Sequence, residues 1–203
     1  MSWAVVVPVK GNGKSRLAVP GLDRAALARA IALDTIEAVA AAALVTTVVV
    51  VTDDAETTAT LAGIPKARAV AEPAPRGLNP AIAYGLDAAG DTARAVLLGD
   101  LPALRPDDLD AALRLAADVE LGAVADAEGT GTTLVTTRRG IPFSPAFGEG
   151  SFVRHVAQGC VALGIRDAST LRRDVDTAAQ LADAASRGLG PRTAALLAAT
   201  PGR

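Results

Sequence analysis

The 203-residue sequence has a single cysteine and a single histidine, Cys160 and His155. One cysteine excludes a disulfide within the chain and any metal site built from several thiolates. One histidine excludes a site built from several imidazoles and disfavours a histidine-based catalytic relay. Enzymatic chemistry would therefore fall to carboxylates, Lys, Arg, hydroxyls and backbone amides. We expect Cys160 to be a small core residue and His155 to have a structural role.

Aromatic residues are also scarce, at 2%, whereas hydrophobic residues make up 50% of the chain. The core must therefore be built from Ala, Val, Leu and Ile, with Trp3 packing just before the first predicted strand. Recognition of a nucleotide base would depend on backbone and aliphatic contacts more than on stacking.

No charge of one sign dominates, because 20 basic and 22 acidic residues leave a net charge of −2. Such a balance does not steer a protein onto nucleic acid or an anionic membrane. The most apolar run, Leu44 to Val51, is far shorter than the ~20 residues of a membrane span. The first residues also lack the basic and apolar regions of a signal peptide. We expect a cytoplasmic protein that binds neither nucleic acid nor membrane.

What the sequence does contain is a strand–loop–helix pattern that occurs four times before residue 120. This pattern predicts an α/β fold with a mostly parallel sheet flanked by helices. Asp23 and Asp54 are candidate N-caps, and Pro106 is a good first helical residue. The predicted strands are Ala4–Val9, Val45–Val51, Ala67–Ala71 and Ala93–Leu98, and the predicted helices are Arg24–Ala42, Asp54–Ala62, Asn79–Ala88 and Pro106–Ala117.

The pattern changes after Glu120, where short strands and Gly-rich loops replace the regular units. No repeat or low-complexity linker divides the chain, so we expect one domain over residues 1–203. The predicted elements of this half are strands Leu121–Ala125 and Thr133–Thr137 and helices Ser151–Gln158, Val175–Ala185 and Pro191–Ala199.

Polar loops follow each of the first four strands, at Lys10–Arg16, Thr52–Asp54, Glu72–Asn79 and Gly99–Asp100. Ligands of such sheets bind beyond the carboxyl ends of the strands, so these loops mark the expected ligand edge. Asp53 could contact a base or ribose there, or it could simply help to begin the next helix.

The first of these loops is basic, with Lys10, Lys14 and Arg16, and it has Gly11 and Gly13 between its two lysines. It is not a P-loop, because Pro8 stands where the first glycine is required. It is not a dinucleotide fingerprint either, because Arg16 replaces the third glycine. Cations and glycine amides at a strand end favour phosphate binding, and the alternative is a solvated basic loop.

Carboxylates follow the fourth strand and recur late in the chain. Asp100 ends an apolar run, which is a common way to present an oxygen ligand to Mg²⁺. The alternative for Asp100 is a turn before Pro102. Asp174 and Asp176 would point to the same face of an extended segment, although we favour an N-cap role for Asp176. A cation between Asp100 and Asp174 would bridge phosphates without any histidine.

Two loops of the second half alternate small residues with hydroxyls, at Gly129–Thr132 and Gly148–Ser151. Backbone N–H groups and hydroxyls in such loops suit a small anion such as a carboxylate. The alternative is two ordinary turns, the second of which ends in a helix-capping Ser151.

Eight motifs occur in order along the chain: Val7-Pro8-Val9-Lys10, Lys14-Ser15-Arg16-Leu17, Val51-Thr52-Asp53, Gly77-Leu78-Asn79, Gly99-Asp100-Leu101-Pro102-Ala103-Leu104, Gly129-Thr130-Gly131-Thr132, Phe147-Gly148 and Asp174-Val175-Asp176-Thr177. Taken together, they resemble the CofC/FbiD family, the guanylyltransferases of coenzyme F-420 biosynthesis, over nearly the whole chain. The resemblance implies a nucleotide-diphospho-sugar transferase fold (GT-A, Rossmann-like). It also implies a reaction that joins GTP to a phosphorylated three-carbon acid and releases pyrophosphate.

Site residues follow from the resemblance by motif. Asp100 and Asp174 would hold Mg²⁺, and Thr132, Gly148 and Ser151 would bind the acid. Asp100, Lys14 and Arg16 would be catalytic, and the nucleotide would meet Lys10, Lys14, Arg16, Asp53, Gly77 and Asn79. Of the family's acids, phosphoenolpyruvate is favoured over 2-phospho-L-lactate and 3-phosphoglycerate, because the Ala- and Arg-rich composition suggests a GC-rich genome.

Other activities stay open from the sequence. The alternatives are another nucleotidyltransferase of the same fold, for a molybdenum cofactor or a sugar phosphate, and a non-enzymatic nucleotide-binding protein. The latter would not need both Asp100 and Asp174. The product of the implied reaction is a labile diester, so a downstream transferase that takes it directly is an expected partner.

Overall fold

A computed structural model describes residues 1–9, 17–72 and 77–199. The predictions for Lys10, Lys14 and Arg16 fall outside these residues. A seven-stranded sheet in the order β3-β2-β1-β4-β6-β5-β7 runs through the described part. Its strands are β1 (Trp3–Pro8), β2 (Val45–Val51), β3 (Ala67–Val70), β4 (Arg94–Leu97), β5 (Leu121–Ala125), β6 (Thr132–Thr137) and β7 (Val161–Ala162).

The strands β1 to β4 pair in parallel, and β6 runs antiparallel to both β4 and β5. The strand β7 pairs in parallel with β5. The predicted mostly parallel α/β sheet is therefore confirmed. The β-branched runs of β1 and β2 explain why these strands lie inside the sheet, since β1 is buried throughout and β2 is buried from Val48 onward.

Helices cover both faces of this sheet. The described ones are α1 (Arg24–Ala41), α2 (Ala55–Leu61), α3 (Leu78–Ala88), α4 (Pro106–Ala116), α5 (Ser151–Ala157), α6 (Ala178–Arg187) and α7 (Pro191–Ala198). Side chains of β1 alternate, so that Val5 and Val7 pack in one core cluster and Val6 in another. Both clusters are fully shielded, which fixes the register of the central strands.

The helix α3 lies unusually close to the sheet at Gly85. A Cβ at this position would lie 2.4 Å from Val6 Cγ1 and 2.6 Å from Val51 Cγ2. Only glycine avoids that overlap, so Gly85 sets the depth of α3 on the sheet. The N-terminus of α3 is thereby held at the carboxyl edge of β1 and β2.

Several helix starts agree with the sequence. Asp23 accepts a hydrogen bond from Ala26 N, Asp54 accepts one from Thr57 N, and Pro106 begins α4. Guanidinium and hydroxyl donors on Asp54, from Arg29 first and then Thr57, lower the pKa of its carboxyl to about 2. Asp54 is therefore committed to capping α2.

One predicted helix start is wrong. The predicted helix Val175–Ala185 begins only at Ala178, and its N-cap is Thr177 instead of Asp176. Thr177 and Gln180 form a capping box, in which the Thr177 hydroxyl accepts from Gln180 N and the Gln180 side chain accepts from the backbone of Thr177. The signal was present as Thr-x-x-Gln, but the preceding aspartates obscured it. Asp174 and Asp176 consequently stand in extended backbone before α6.

Among the described residues, no helix combines the length and the apolar character needed to cross a membrane.

Candidate active site

A cavity of about 540 Å³ opens where β4 and β5 end and β6 begins. Five residues predicted to hold metal or acid line it together: Asp100, Asp174, Thr132, Gly148 and Ser151. The remaining lining residues are Leu78, Leu98, Asp126, Thr130, Gly131, Glu149, Gly150 and Asp176. Three of the acidic lining residues, Asp100, Asp174 and Asp176, form what we call the carboxylate wall. The lining residues Thr132 and Ser151 form what we call the hydroxyl wall.

One backbone hydrogen bond joins the two chain segments that carry the carboxylate wall. Asp100 follows the buried strand β4, and its carbonyl accepts from Val175 N at 2.9 Å. Val175 is fully buried in a core cluster with Leu27 and Ile31 of α1. The neighbouring Asp174 is therefore fixed beside Asp100, although 74 positions separate them in sequence.

Asp174 is the most perturbed acid of the site. Burial, followed by the charges of Asp100, Asp126 and Asp176, raises the pKa of its carboxyl to about 7. Among the described residues, Asp174 Oδ1 has no hydrogen-bond partner although solvent does not reach it. A buried, unsatisfied carboxylate oxygen beside other acids is unfavourable unless a cation or a proton joins it.

Asp126 was not predicted for this site. It is buried directly after β5, and its two carboxylate oxygens accept from Thr130 N at 2.9 Å and Gly131 N at 2.6 Å. One oxygen each of Asp126, Glu128 and Asp174 lie within 4.8 Å of one another. Because Asp126 already holds the turn that leads to Thr132, its first role is to shape that turn. Its position after a buried strand, as for Asp100, was the available signal.

Hydrogen bonds join the two residues of the hydroxyl wall to each other and to His155. Thr132 begins β6 and is 3% exposed, and Ser151 begins α5 and is 1% exposed. Ser151 Oγ donates to Thr132 Oγ1 at 3.1 Å. His155 Nδ1 lies 2.9 Å from the same Thr132 oxygen. The histidine is buried and is not part of the cavity lining, but it lies behind the lining residue Thr132.

Two side chains, those of Asn79 and Arg154, hold the turn that carries Gly148. Gly148 has a φ of 119°, which side chains rarely adopt, so glycine is required there. Asn79 Nδ2 donates to Phe147 O at 3.1 Å, and Phe147 N donates to Asn79 Oδ1 at 2.8 Å. The Arg154 guanidinium donates to the carbonyls of Ala146 and Glu149. Glycine backbone is thus presented to the cavity in a fixed shape.

Three described residues were predicted to bind the nucleotide, and none of them lines the cavity, whereas all three residues predicted to bind the acid do. Gly77 precedes α3, whose N-terminus receives no side-chain cap from the described residues, and Leu78 lines the cavity. Both polar atoms of Asn79 are engaged by Phe147, so its visible role is to position the Gly148 turn. Asp53 is exposed after β2 and lies outside the cavity lining.

The sequence profile of a family described as "Guanylyl transferase CofC like" matches residues 3–199. The chain belongs to this family. The family assignment and the guanylyltransferase activity predicted from the motifs are thereby confirmed.

Two curated relatives of this CofC-like chain share one name. A phosphoenolpyruvate guanylyltransferase of Thermomonospora curvata is 47% identical over 209 residues, covering 99% of this chain and 91% of the relative. One from Salinispora arenicola is 48% identical over 200 residues, covering 96% and 92%.

Solved structures support the fold of the CofC-like chain. A putative nucleotide-diphospho-sugar transferase from Desulfovibrio desulfuricans matches with a TM-score of 0.67 at 19% identity, covering 98% of this chain and 95% of that one. A nucleotidyl transferase from Methanothermobacter matches at 0.65 and 19%, covering 90% and 95%. The predicted nucleotide-diphospho-sugar transferase fold is confirmed.

Proposed function

We propose that this CofC-like chain transfers the guanylyl group of GTP to phosphoenolpyruvate and releases pyrophosphate, as a step of coenzyme F-420 biosynthesis. The observation that supports it is one cavity with two unlike walls, one of carboxylates and one of hydroxyls. A phosphorylated acid has two unlike anionic ends, which such walls can distinguish. The names of the relatives supply the acid.

The carboxylate wall fits Mg²⁺. The cation prefers a few carboxylate oxygens and retains waters, and Asp174 offers a buried oxygen that no described residue satisfies. Asp126 and Glu128 are engaged elsewhere, by backbone N–H groups and by Gln180. We propose Asp100 and Asp174 as the ligands, because these are the two carboxylates that the resemblance to the family implies, and both line the cavity. Bound Mg²⁺ would neutralise phosphate charge and hold donor and acceptor phosphates together.

The chain's own residues then orient the acceptor. The hydroxyl wall and the Gly148 turn bind its carboxylate, and this directs its phosphate toward Asp100 and Asp174. A phosphate oxygen attacks the α-phosphorus of GTP in line, the bond to the β-phosphate oxygen breaks, and pyrophosphate departs. A phosphate dianion is already a nucleophile, so no residue needs to act as a base, and catalysis rests on positioning and charge.

The nucleotide side of the proposal keeps the predicted residues apart from Asn79. Lys10, Lys14 and Arg16 would neutralise the triphosphate, and Gly77 and Asp53 would face the guanosine. The N-terminus of α3 supports a phosphate contact next to Gly77, because it receives no side-chain cap from the described residues and backbone N–H groups at a helix start attract phosphate. Asn79 would instead act on the acid, through the Gly148 turn that it holds.

The test is pyrophosphate release from the protein mixed with GTP, Mg²⁺ and each of phosphoenolpyruvate, 2-phospho-L-lactate and 3-phosphoglycerate. We expect release that requires an acid and is fastest with phosphoenolpyruvate. Release that is no faster with any acid than without one would refute the proposal. A faster rate with another acid would overturn the choice of phosphoenolpyruvate alone.

The metal assignment is tested with Asp100→Asn, which keeps the shape of the side chain but removes its charge. We expect a loss of at least about a hundredfold in turnover, typical of removing one group that stabilises developing charge. Asp118→Asn is a matched control, because Asp118 is exposed after α4, at the opposite edge of the sheet. Near-normal turnover of Asp100→Asn would exclude Asp100 from the metal site.

A further inference from the structure

His155 is the buried titratable group that the proposed reaction does not use. It is fully buried behind the hydroxyl wall and packs between Phe143 and Phe147, with ring centroids 5.7 Å and 4.8 Å away. Both ring nitrogens are engaged, Nδ1 by Thr132 Oγ1 at 2.9 Å and Nε2 by Ala146 N at 3.3 Å. A histidine needed only for packing would not require two directed contacts.

The contact with Ala146 decides which nitrogen carries the proton. A backbone N–H can only donate, so Nε2 must accept from it. Neutral imidazole then carries its hydrogen on Nδ1, and Nδ1–H donates to Thr132 Oγ1. Burial, and secondarily the Arg154 guanidinium, lowers the pKa of His155 to about 4, so the ring is neutral at pH 7.

The direction of these bonds fixes the Thr132 hydroxyl. A hydroxyl has two acceptor lone pairs and one proton to donate. Thr132 Oγ1 receives one hydrogen bond from His155 Nδ1 and one from Ser151 Oγ. With both lone pairs occupied, its remaining capacity is that of a donor, and the residue lines the cavity.

We propose that His155 is a positioning residue that makes Thr132 an obligatory hydrogen-bond donor to the carboxylate of the acceptor acid. This role rests on the proposed function, because it takes the acceptor to be a carboxylate-bearing phosphorylated acid. It also makes the hydroxyl wall selective, since an acceptor oxygen gains a hydrogen bond there and a donor group in its place does not.

The first test uses the fact that His155 is the chain's only histidine, so its NMR signals are unambiguous. In the ¹⁵N-labelled full-length protein at pH 7 we expect the tautomer protonated at Nδ1, with Nε2 unprotonated. Thr132→Val should shift the Nδ1 resonance and leave Nε2 nearly unchanged. The opposite tautomer, or a charged ring at pH 7, would overturn the proposal.

The second test compares two substitutions of equal polarity. His155→Asn keeps an N–H near the position of Nδ1, whereas His155→Gln keeps a polar group near Nε2 and removes the donor to Thr132. We expect His155→Gln to raise the KM for phosphoenolpyruvate about tenfold with an unchanged KM for GTP, the scale of one hydrogen bond. We expect His155→Asn to stay within about threefold of wild type.

A purely structural histidine predicts another result. Both variants would then lower the melting temperature and change the constants of both substrates together, and that outcome would overturn the proposal. In a Thr132→Val background, His155→Gln should have no further effect on the KM for the acid. If the wild-type protein releases no pyrophosphate with any acid, the proposed function fails, and the NMR spectra alone decide whether the imidazole holds Thr132.

Discussion

The two walls of the cavity satisfy their polar groups in opposite ways. On the hydroxyl wall Thr132 and Ser151 are hydrogen-bonded to each other, and His155 behind them contacts Thr132. On the carboxylate wall Asp174 is surrounded by like charges and keeps a buried oxygen that no described residue satisfies. The hydrogen bonds within the hydroxyl wall are made before any ligand arrives. The carboxylate wall is stable only with a proton or a cation, so its composition costs stability and serves function.

The largest expected effect comes from Asp174→Asn, which removes one of the crowded negative charges of the carboxylate wall. Turnover should fall by at least about a hundredfold, because a proposed metal ligand is lost. In the absence of metal, by contrast, Asp174→Asn should be more stable than the wild type at a pH where Asp174 is charged. The raised pKa means that the native protein binds a proton more tightly than the unfolded chain, so the wild type loses stability as pH rises from about 4 to about 7.

Unfolding followed with a chelator present checks this second effect. At pH 8 Asp174→Asn should melt higher than wild type, and at pH 4 the two should nearly coincide. Asp118→Asn should follow the wild-type curve at both pH values. A lower melting temperature for Asp174→Asn at pH 8 would mean that the carboxylate wall carries no electrostatic cost.

A smaller effect is expected from the hydroxyl wall. Thr132→Val keeps the shape of the side chain but removes the donor, and we expect about a tenfold higher KM for the acid. Thr133→Val is the matched control, since Thr133 is buried beside it on β6 and its hydroxyl has no partner among the described residues. That control should leave both KM values unchanged. Equal effects of the two variants would remove the hydroxyl wall from substrate binding.

A finer comparison separates two roles for Asn79. Asn79→Ala loses both hydrogen bonds to the backbone of Phe147 and loosens the Gly148 turn. If positioning that turn is its role, we expect the KM for the acid to rise severalfold, about the effect of one weak hydrogen bond, with little change for GTP. A rise confined to GTP would support the nucleotide contact predicted from the sequence.

The smallest effect concerns pH and the imidazole behind the hydroxyl wall. The lowered pKa of His155 means that between pH 6.5 and about 4 the unfolded chain binds a proton that the native protein rejects. The contribution of His155 is therefore fully present above pH 6.5 and is lost as pH falls through this range. Urea titrations should show a shallower decline for His155→Asn over the same range, and parallel curves would place the imidazole in contact with water.

The sequence predicted the parallel half of the sheet well, for local reasons. Runs such as Val45–Val51 can form only buried strands, and the carboxyl ends of parallel strands share one edge. Asp100 and Thr132 could be singled out because each adjoins a strand end, and both line the cavity. These predictions needed no knowledge of how distant segments pack.

Other parts of the site depend on contacts that no local pattern carries. The hydrogen bond from Val175 to Asp100 joins segments far apart in sequence, and it keeps Asp174 and Asp176 in extended backbone. The buried role of Asp126 depends on the conformation of the turn that it holds. The role of Asn79 depends on Phe147, whose backbone is hydrogen-bonded to the Asn79 side chain only in the folded chain. The contact between His155 and Thr132, which lie 23 positions apart, likewise cannot be predicted from the spacing of residues in the sequence.

The placement of Trp3 has a spectroscopic consequence. This sole tryptophan begins β1 and is fully buried at the amino end of the strand, whereas the cavity opens at the carboxyl ends, about 16 Å farther along β1 at ~3.3 Å per residue. Its fluorescence should therefore report the opening of the core and not the occupancy of the site. A ligand should leave the native emission unchanged and be detected through the higher denaturant concentration at which that emission is lost.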